Sequence, residues 1–568
     1  MTNRLRVFRV PRSCLALLAV VGASVAGCAG EAPPDHIYYN ALVWTGDTAN
    51  PTATAIAVRG DRIVAVGDDA VVRALAGAAT EEHDLGARRM VPGFHDGHWH
   101  LPTRRTTDLS GARTPAEIVG RLREFESTLA PDAWLTGRGW VPDVFPGGEA
   151  TGGFLDRAFP DRAVLLTDRD GHLILANARA LALSGISAET RDPSGGTIAR
   201  DARGRATGLL EETAMGLASR HLPDPGAEEV YAALRYEMHR AAERGLTAIQ
   251  IANALNATES AAFARALAED SLLVRFRIAV PFTPDVSDSV LGGYVALRDA
   301  HTGPYLRYGI AKGMLDGTVD AGTAAMLAPY SRGGGTGLPR WSAEALAAAV
   351  ARYDRAGIQV ELHAIGDHAI RMALDAFEAT NRTEPARDRR HRIEHLEVPD
   401  PADLPRFAAV GVIASTQAIF ALPDATVLTN YVPMLGPVRE QHAMPFKSLD
   451  DSGAMQAFGS DYPVFPMDPL LGIHVAVTRT TPGGVPVGGW IPRERISLEQ
   501  AIRHYTRGSA FAAFREQELG VIRPGMLADF VVLSEEILGA DPATLLRSKP
   551  VLTVMGGRAV FRTAEPNR

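Results

Sequence analysis

The middle of this 568-residue chain alternates short apolar segments with amphipathic, alanine-rich ones, and this most narrows what it can fold into. The segments AVLLTD, GLTAIQIA, RFRIAVPF, YGIAKGMLDG, IQVELHAIG, HRIEHLE, GVIASTQ and AMQAFGSD read as strands. SAEALAAAVARYDRAG, HAIRMALDAFEATN and SLEQAIRHYTRGSAFAAF read as helices, two with Ser at or near the start. Strand–helix alternation at this spacing predicts a parallel sheet, and its length suits a (β/α)8 barrel with insertions. Residues from about 103 to 240 exceed what two strand–helix units need, so part of them is expected to form an inserted subdomain.

Both ends read differently. IYYNALVWTGD and ATAIAVRGDRIVAVGD alternate apolar and polar residues, with Gly60-Asp61 placed for a hairpin turn. LGVIRPGMLADFVVLS and PVLTVMGGRAVF do the same, turning at Gly556-Gly557. Two strand-rich ends around an α/β middle suggest one small β-sandwich assembled from 37–91 and 515–568, with the barrel at 92–514.

The first residues stand apart from that fold. Arg4, Arg6, Arg9 and Arg12 precede an apolar run from Cys14 to Val25 that is too short for the roughly 20 residues of a bilayer span. This is the shape of a secretory signal over 1–27, and Val25-Ala26-Gly27-Cys28 resembles a bacterial lipobox in which Cys28 is lipidated. An ordinary cleaved signal with a chance cysteine is the alternative. Residues 28–36 then form a tether carrying Pro33 and Pro34. Cys14 and Cys28 are the only cysteines, so a processed chain has no internal disulfide. Processing also removes four Arg and no acid, moving the formal charge from −8 to −12. A net-acidic protein argues against nucleic acid as a partner. The expected location is therefore outside the cytoplasm, lipid-anchored to a bacterial membrane.

His98 and His100 in VPGFHDGHWH are two apart, so on a strand end both imidazoles can face one ion. The same alternation turns Trp99 away, and His95 falls an odd step off that face as a packing or supporting residue. Trp99 is kept with the substrate-pocket candidates. His363, His395 and Asp461 also close apolar strands, where barrel active sites are built. Imidazole and carboxylate are ligands suited to zinc and its neighbours.

Only three of the 58 basic residues, Lys312, Lys447 and Lys549, are lysines. Lys312 lies inside a strand pattern, where a free ammonium is expensive to bury. Carboxylation to a metal-bridging carbamate and a salt bridge to Asp316 or Asp320 are both open on spacing.

The ordered set HxH, strand Lys, His, His, Asp resembles the amidohydrolase superfamily, nearest its N-substituted-formamide-deformylase-like (YtcJ-like) branch. DRDGHLILANARAL, GGTIARDARGRATGLLEETAM, AKGMLDGTVDAGTAAML, HAIGDHAIRMALDAFE, HRIEH, FGSDYPV and ISLEQAIRHYT carry the resemblance, which runs from about Ile37 to Phe561. It implies a (β/α)8 barrel with a terminal β-sandwich. It also implies one or two divalent ions: His98, His100 and Asp461 on one, His363 and His395 on a second, Lys312 as carbamate between them. His172 and Glu212 resemble substrate-pocket residues. His95 departs from the aliphatic residue usual at its position.

The reaction expected is hydrolysis of a small amide-type substrate by water that a metal has acidified to a pKa near 7. Asp461 serves as general base, then general acid, and His172 faces the carbonyl oxygen. A cyclic amide, ester or lactone substrate is the nearest alternative. An isomerase, a decarboxylase or a solute-binding lipoprotein without chemistry is more remote. A homodimer stays open.

Overall fold

The structure, a computed structural model, describes residues 32–145, 150–168, 171, 173–193 and 196–563. The signal, Cys28 and His172 lie outside the described residues. Eight parallel strands form the central sheet: β1 Phe94–Trp99, β2 Leu246–Ile251, β3 Arg275–Pro281, β4 Leu306–Met314, β5 Gln359–Ala364, β6 Arg392–His395, β7 Ile413–Thr416 and β8 Gln456–Phe458. Each pairs with its neighbours in chain order. Strands β2 and β5 are buried at every residue, because helices cover one face and the barrel interior the other.

The chain just after β8 brings the barrel ends together. Asp461 N–H donates to His98 O at 2.7 Å, and His100 N–H to Tyr462 O at 2.8 Å. This approach needs glycine: a Cβ on Gly459 would stand 2.5 Å from His98 N and 3.0 Å from Asp96 Oδ1.

Of the strands expected from sequence, AVLLTD is not in the barrel. Val164–Asp168 belongs to a six-stranded sheet inserted between β1 and β2, beside Leu135–Trp140 and Leu173–Ala176. Sequence periodicity cannot say which sheet a short apolar strand joins. Helix Ala227–Glu243 links the insert to the barrel mouth. Its Arg240 donates to the Tyr462 hydroxyl at 2.8 Å and reaches Asp108 at 3.4 Å.

The helices start where their caps say. Ser342 Oγ accepts from Ala345 N–H ahead of Ala343–Arg355. Ser497 and Gln500 form a reciprocal cap on Leu498–Arg503. The single helix expected after Ser497 is instead interrupted by a wider π-turn over His504–Gly508, then resumes as Ser509–Ala512. Gly508 lets this turn lie against the barrel: a Cβ there would meet Gln456 O on β8 at 2.1 Å.

Strands from both ends build one eight-stranded mixed sheet, with turns at Gly60-Asp61 and Gly556-Gly557 as expected. Its period of two buries Tyr38, Ile56, Val58 and Phe530 together in one cluster and Ile37, Ala55 and Ala57 in another, the latter covered by Val72 of the short helix Asp69–Arg73. Arg275 on β3 joins this sheet to the barrel: its guanidinium meets both Asp529 oxygens, at 2.8 and 2.9 Å, and both side chains are buried. No helix among the described residues is long and apolar enough to cross a membrane.

Candidate metal centre

The residues expected to bind metal converge at the C-terminal mouth of the barrel. His98 and His100 close β1, with ring centroids 5.3 Å apart. His98 Nε2 lies 3.3 Å, and His100 Nε2 2.9 Å, from Asp461 Oδ1. His395 ends β6 with its ring 4.9 Å from that of His98 and 4.5 Å from that of His363 on β5. Lys312, on β4, points its ammonium to within 3.4 Å of His98 Nε2. Ligand atoms of His98, His395 and Asp461 all lie within 4.8 Å of one another.

Backbone geometry makes this possible at two positions. Strand alternation puts Arg392 and Glu394 on the inward face of β6 and would send His395 outward. A left-handed His395 (φ 74°) breaks the pleat and turns its imidazole toward the shared space. Asp461 is left-handed too (φ 56°).

Each of the four imidazoles has one ring nitrogen held by a protein acceptor. His98 Nδ1–H donates to Glu394 at 2.5 Å, His100 Nδ1–H to Asn253 Oδ1 at 3.0 Å, and His395 Nδ1–H to Gln417 Oε1 at 2.8 Å. His363 Nε2–H donates to Gly317 O at 3.1 Å. The other nitrogens of His363 and His395 are then left with lone pairs, the arrangement metal-ligating histidines show, while those of His98 and His100 face Asp461 Oδ1. The site fits a divalent ion on this observation, and the donor set of nitrogen and carboxylate oxygen fits zinc.

Electrostatics agree. Burial, reinforced by the Lys312 ammonium, lowers His363 to about 3, so its imidazole is neutral at pH 7. Burial with His363 and His98 nearby holds His395 well below its ordinary value. Burial opposes ionisation of Asp461, but His98 and the hydrogen bonds from His100 and His98 hold it well below the carboxylate range. Burial and Lys312 disfavour protonated His98, yet Asp461 and Glu394 outweigh them and raise it. Neutral His363 and His395 beside an ionised Asp461 are in the protonation states that bind metal, whereas His98, raised to about 9, holds a proton that a bound ion would displace.

The acid facing Lys312 is neither Asp316 nor Asp320 but Glu361, with Oε1 at 3.7 Å. Asp316 is taken up by the backbone N–H groups of Ala325, Ile365 and Gly366, at 2.9 to 3.0 Å. Neither Glu361 oxygen has a hydrogen-bond donor within reach, although the residue is fully buried. A buried carboxylate without donors draws its stabilisation from nearby positive charge.

Trp99 is corrected from a pocket wall to a core residue: it is 1% exposed and stacks on Tyr462, centroids 5.7 Å apart. Glu212 ends an inserted strand, exposed and left-handed (φ 51°). His95 is buried beneath the site, where burial and then Arg515, Arg392 and Arg277 push it down to about 3.

Sequence reading missed the supporting layer. Asp96 accepts His98 N–H at 3.1 Å, Ser460 N–H at 2.9 Å and Ser460 O–H at 2.6 Å, tying β1 to the segment that presents Asp461. Arg392 donates to Glu394 Oε1 at 3.0 Å and also to Gly97 O and Ser415 Oγ. The signal was present: Asp96, Glu361 and Arg392 each stand an even step from an inward-facing residue of their own strand.

A family model described as the amidohydrolase family matches residues 81–561. YtcJ of Bacillus subtilis is 32% identical over 85% of this chain and 90% of its own length. The N-substituted formamide deformylase of Arthrobacter pascens is 27% identical over 92% of this chain and 97% of that protein. Among solved structures, an uncharacterised metal-dependent hydrolase from Pyrococcus furiosus superposes with a TM-score of 0.69 at 23% identity, covering 89% of this chain and 99% of that one.

Proposed function

The chain belongs to the amidohydrolase family, and from that premise we propose a metal-dependent hydrolase that cleaves the C–N bond of a small amide-type substrate. The observation that carries this reading is the set of four imidazoles, each oriented by a protein acceptor at one nitrogen, gathered around Asp461 and Lys312. A divalent ion bound there, zinc by its donor set, supplies Lewis acidity toward a carbonyl and a water acidified to a pKa near 7. His98, His100 and Asp461 would hold one ion and His363 and His395 a second, with Lys312 as a carbamate between them.

Asp461 is buried and ionised at the centre of the mouth, so it can accept a proton from the attacking water and return it to the leaving nitrogen. Glu394, Asn253, Gln417 and Gly317 O keep the four rings oriented while this happens. His172 serves as donor to the carbonyl oxygen as negative charge develops, and Glu212 contacts the substrate.

The name of the Arthrobacter relative puts N-formyl amines at the head of a substrate panel. Purified protein is expected to contain at least one zinc per chain and to hydrolyse N-formyl or N-acyl amines faster than matched esters and lactones. Protein that holds no divalent metal after expression with zinc, or that turns over esters alone, overturns the reading. We also propose that lipid on Cys28 anchors the processed chain to the bacterial membrane; a Cys28→Ser variant recovered in the same membrane fraction as the wild type contradicts this.

A further inference from the structure

A second group of metal-ligating side chains lies on the terminal sheet and shares no residue with the barrel centre. Strands His36–Trp44 and Glu81–Pro92 run parallel, with His36 opposite Glu81 and Tyr38 opposite His83. Residues two apart share a face, so His36, Tyr38, Glu81 and His83 stand together on one side of the sheet. His36 Nδ1 is 3.3 Å from His83 Nε2. Glu81 Oε2 lies 3.5 Å from the first of these nitrogens and 3.9 Å from the second.

Those separations are what a tetrahedral ion asks for. Zinc–nitrogen and zinc–oxygen bonds of about 2.0–2.1 Å place neighbouring ligand atoms about 3.3–3.4 Å apart. One edge of the triangle already has that length, and the other two close by rotation of a Glu81 side chain that is 68% exposed. The imidazoles need not move: the Tyr38 ring stacks on His83 with centroids 4.6 Å apart and planes 20° apart. His36 and His83 keep partial exposure, which leaves room for a water as fourth ligand.

Arg562 is close enough to His83 to oppose positive charge there. Coordination rather than a general negative field has to hold the ion, which favours zinc-class metals over calcium or magnesium.

We propose that His36, Glu81 and His83 form a zinc-class metal site with an open fourth position. The ion would clip the first residue of the opening strand to its parallel neighbour, at the point where the chain enters the sheet. This inference is independent of the chemistry assigned to the barrel.

The test is zinc content of the full chain, free of any affinity tag, after equilibration with micromolar zinc sulfate and desalting. Wild type is compared with Glu81→Gln and with His36→Gln/His83→Gln. Each variant is expected to hold one ion fewer per chain, with unchanged turnover of whatever substrate the wild type accepts. Cobalt-loaded wild type should also absorb more visible light per chain than the cobalt-loaded variants, the difference belonging to this site. Equal zinc content in wild type and Glu81→Gln overturns the proposal, as does wild-type binding at this site only above millimolar zinc. Glu81 is exposed enough that its replacement leaves the fold intact, so the comparison survives if the double variant does not fold.

Discussion

Replacing Glu394 by Gln perturbs the metal centre without touching a ligand. Its two oxygens answer two buried donors: Oε2 takes His98 Nδ1–H, and Oε1 takes Arg392 Nε–H at 3.0 Å. All three side chains are fully buried, so water cannot substitute. Glutamine offers one acceptor and one donor in the same place, and one of the two contacts becomes donor against donor. A buried donor left unpaired costs about 1–3 kcal/mol of stability. The surviving bond to His98, if it is the one kept, loses its charge and about half its strength. Supporting residues of this kind are worth about 10- to 100-fold in metal affinity, or about 1.4–2.8 kcal/mol. Zinc affinity by competition with a chromogenic chelator, alongside a urea melt of the metal-free protein, measures both effects. Wild-type affinity together with an unchanged urea midpoint in Glu394→Gln would refute the claim that Glu394 positions His98.

Three further outcomes follow from the same geometry. Asp461→Asn is expected to keep at least part of its metal but lose about 100-fold or more in turnover, since it removes the proton acceptor; near-native turnover with metal bound contradicts that role. Burial raises Glu237 to about 7 even though Arg240 and the Tyr462 hydroxyl oppose the shift. A raised carboxyl contributes stability that is complete below its unfolded value near 4.5 and lost as pH rises through 7, so the native state should weaken by up to about 3 kcal/mol between pH 5 and 8. Glu237→Gln should flatten that slope in urea melts, and parallel slopes for both proteins would show the assignment to be mistaken. Asp529→Ala leaves Arg275 buried without its partner and should cost about 3–5 kcal/mol, with Arg275→Met/Asp529→Leu recovering much of it; a loss under 1 kcal/mol in the single variant would mean that the pair does not secure the joint.

Much of the architecture was legible because it rests on local periodicity. Seven of the eight barrel strands, the terminal turns at Gly60-Asp61 and Gly556-Gly557 and the caps at Ser342 and Ser497 each follow from a repeat or a residue type a few positions wide. AVLLTD shows where this ends. Its pattern says strand, but its membership of the inserted sheet depends on partners far along the chain. The π-turn after Ser497 and the approach of Gln456 O to Gly508 are likewise invisible in the helical pattern.

The candidate site divides the same way. Residue order and strand-end position singled out His98, His100, Lys312, His363, His395 and Asp461, because side-chain chemistry and the period of a strand are properties of the chain itself. The fold alone decided how these groups present their donor atoms. Left-handed turns at His395 and Asp461 overrule the alternation that would face His395 outward. Glu394, Asn253 and Gln417, from three different strands or strand ends, select which nitrogen of each ring they hold is left free. Ring orientation and protonation depend on distances between segments 22 to 296 residues apart, and only the closed barrel sets those distances.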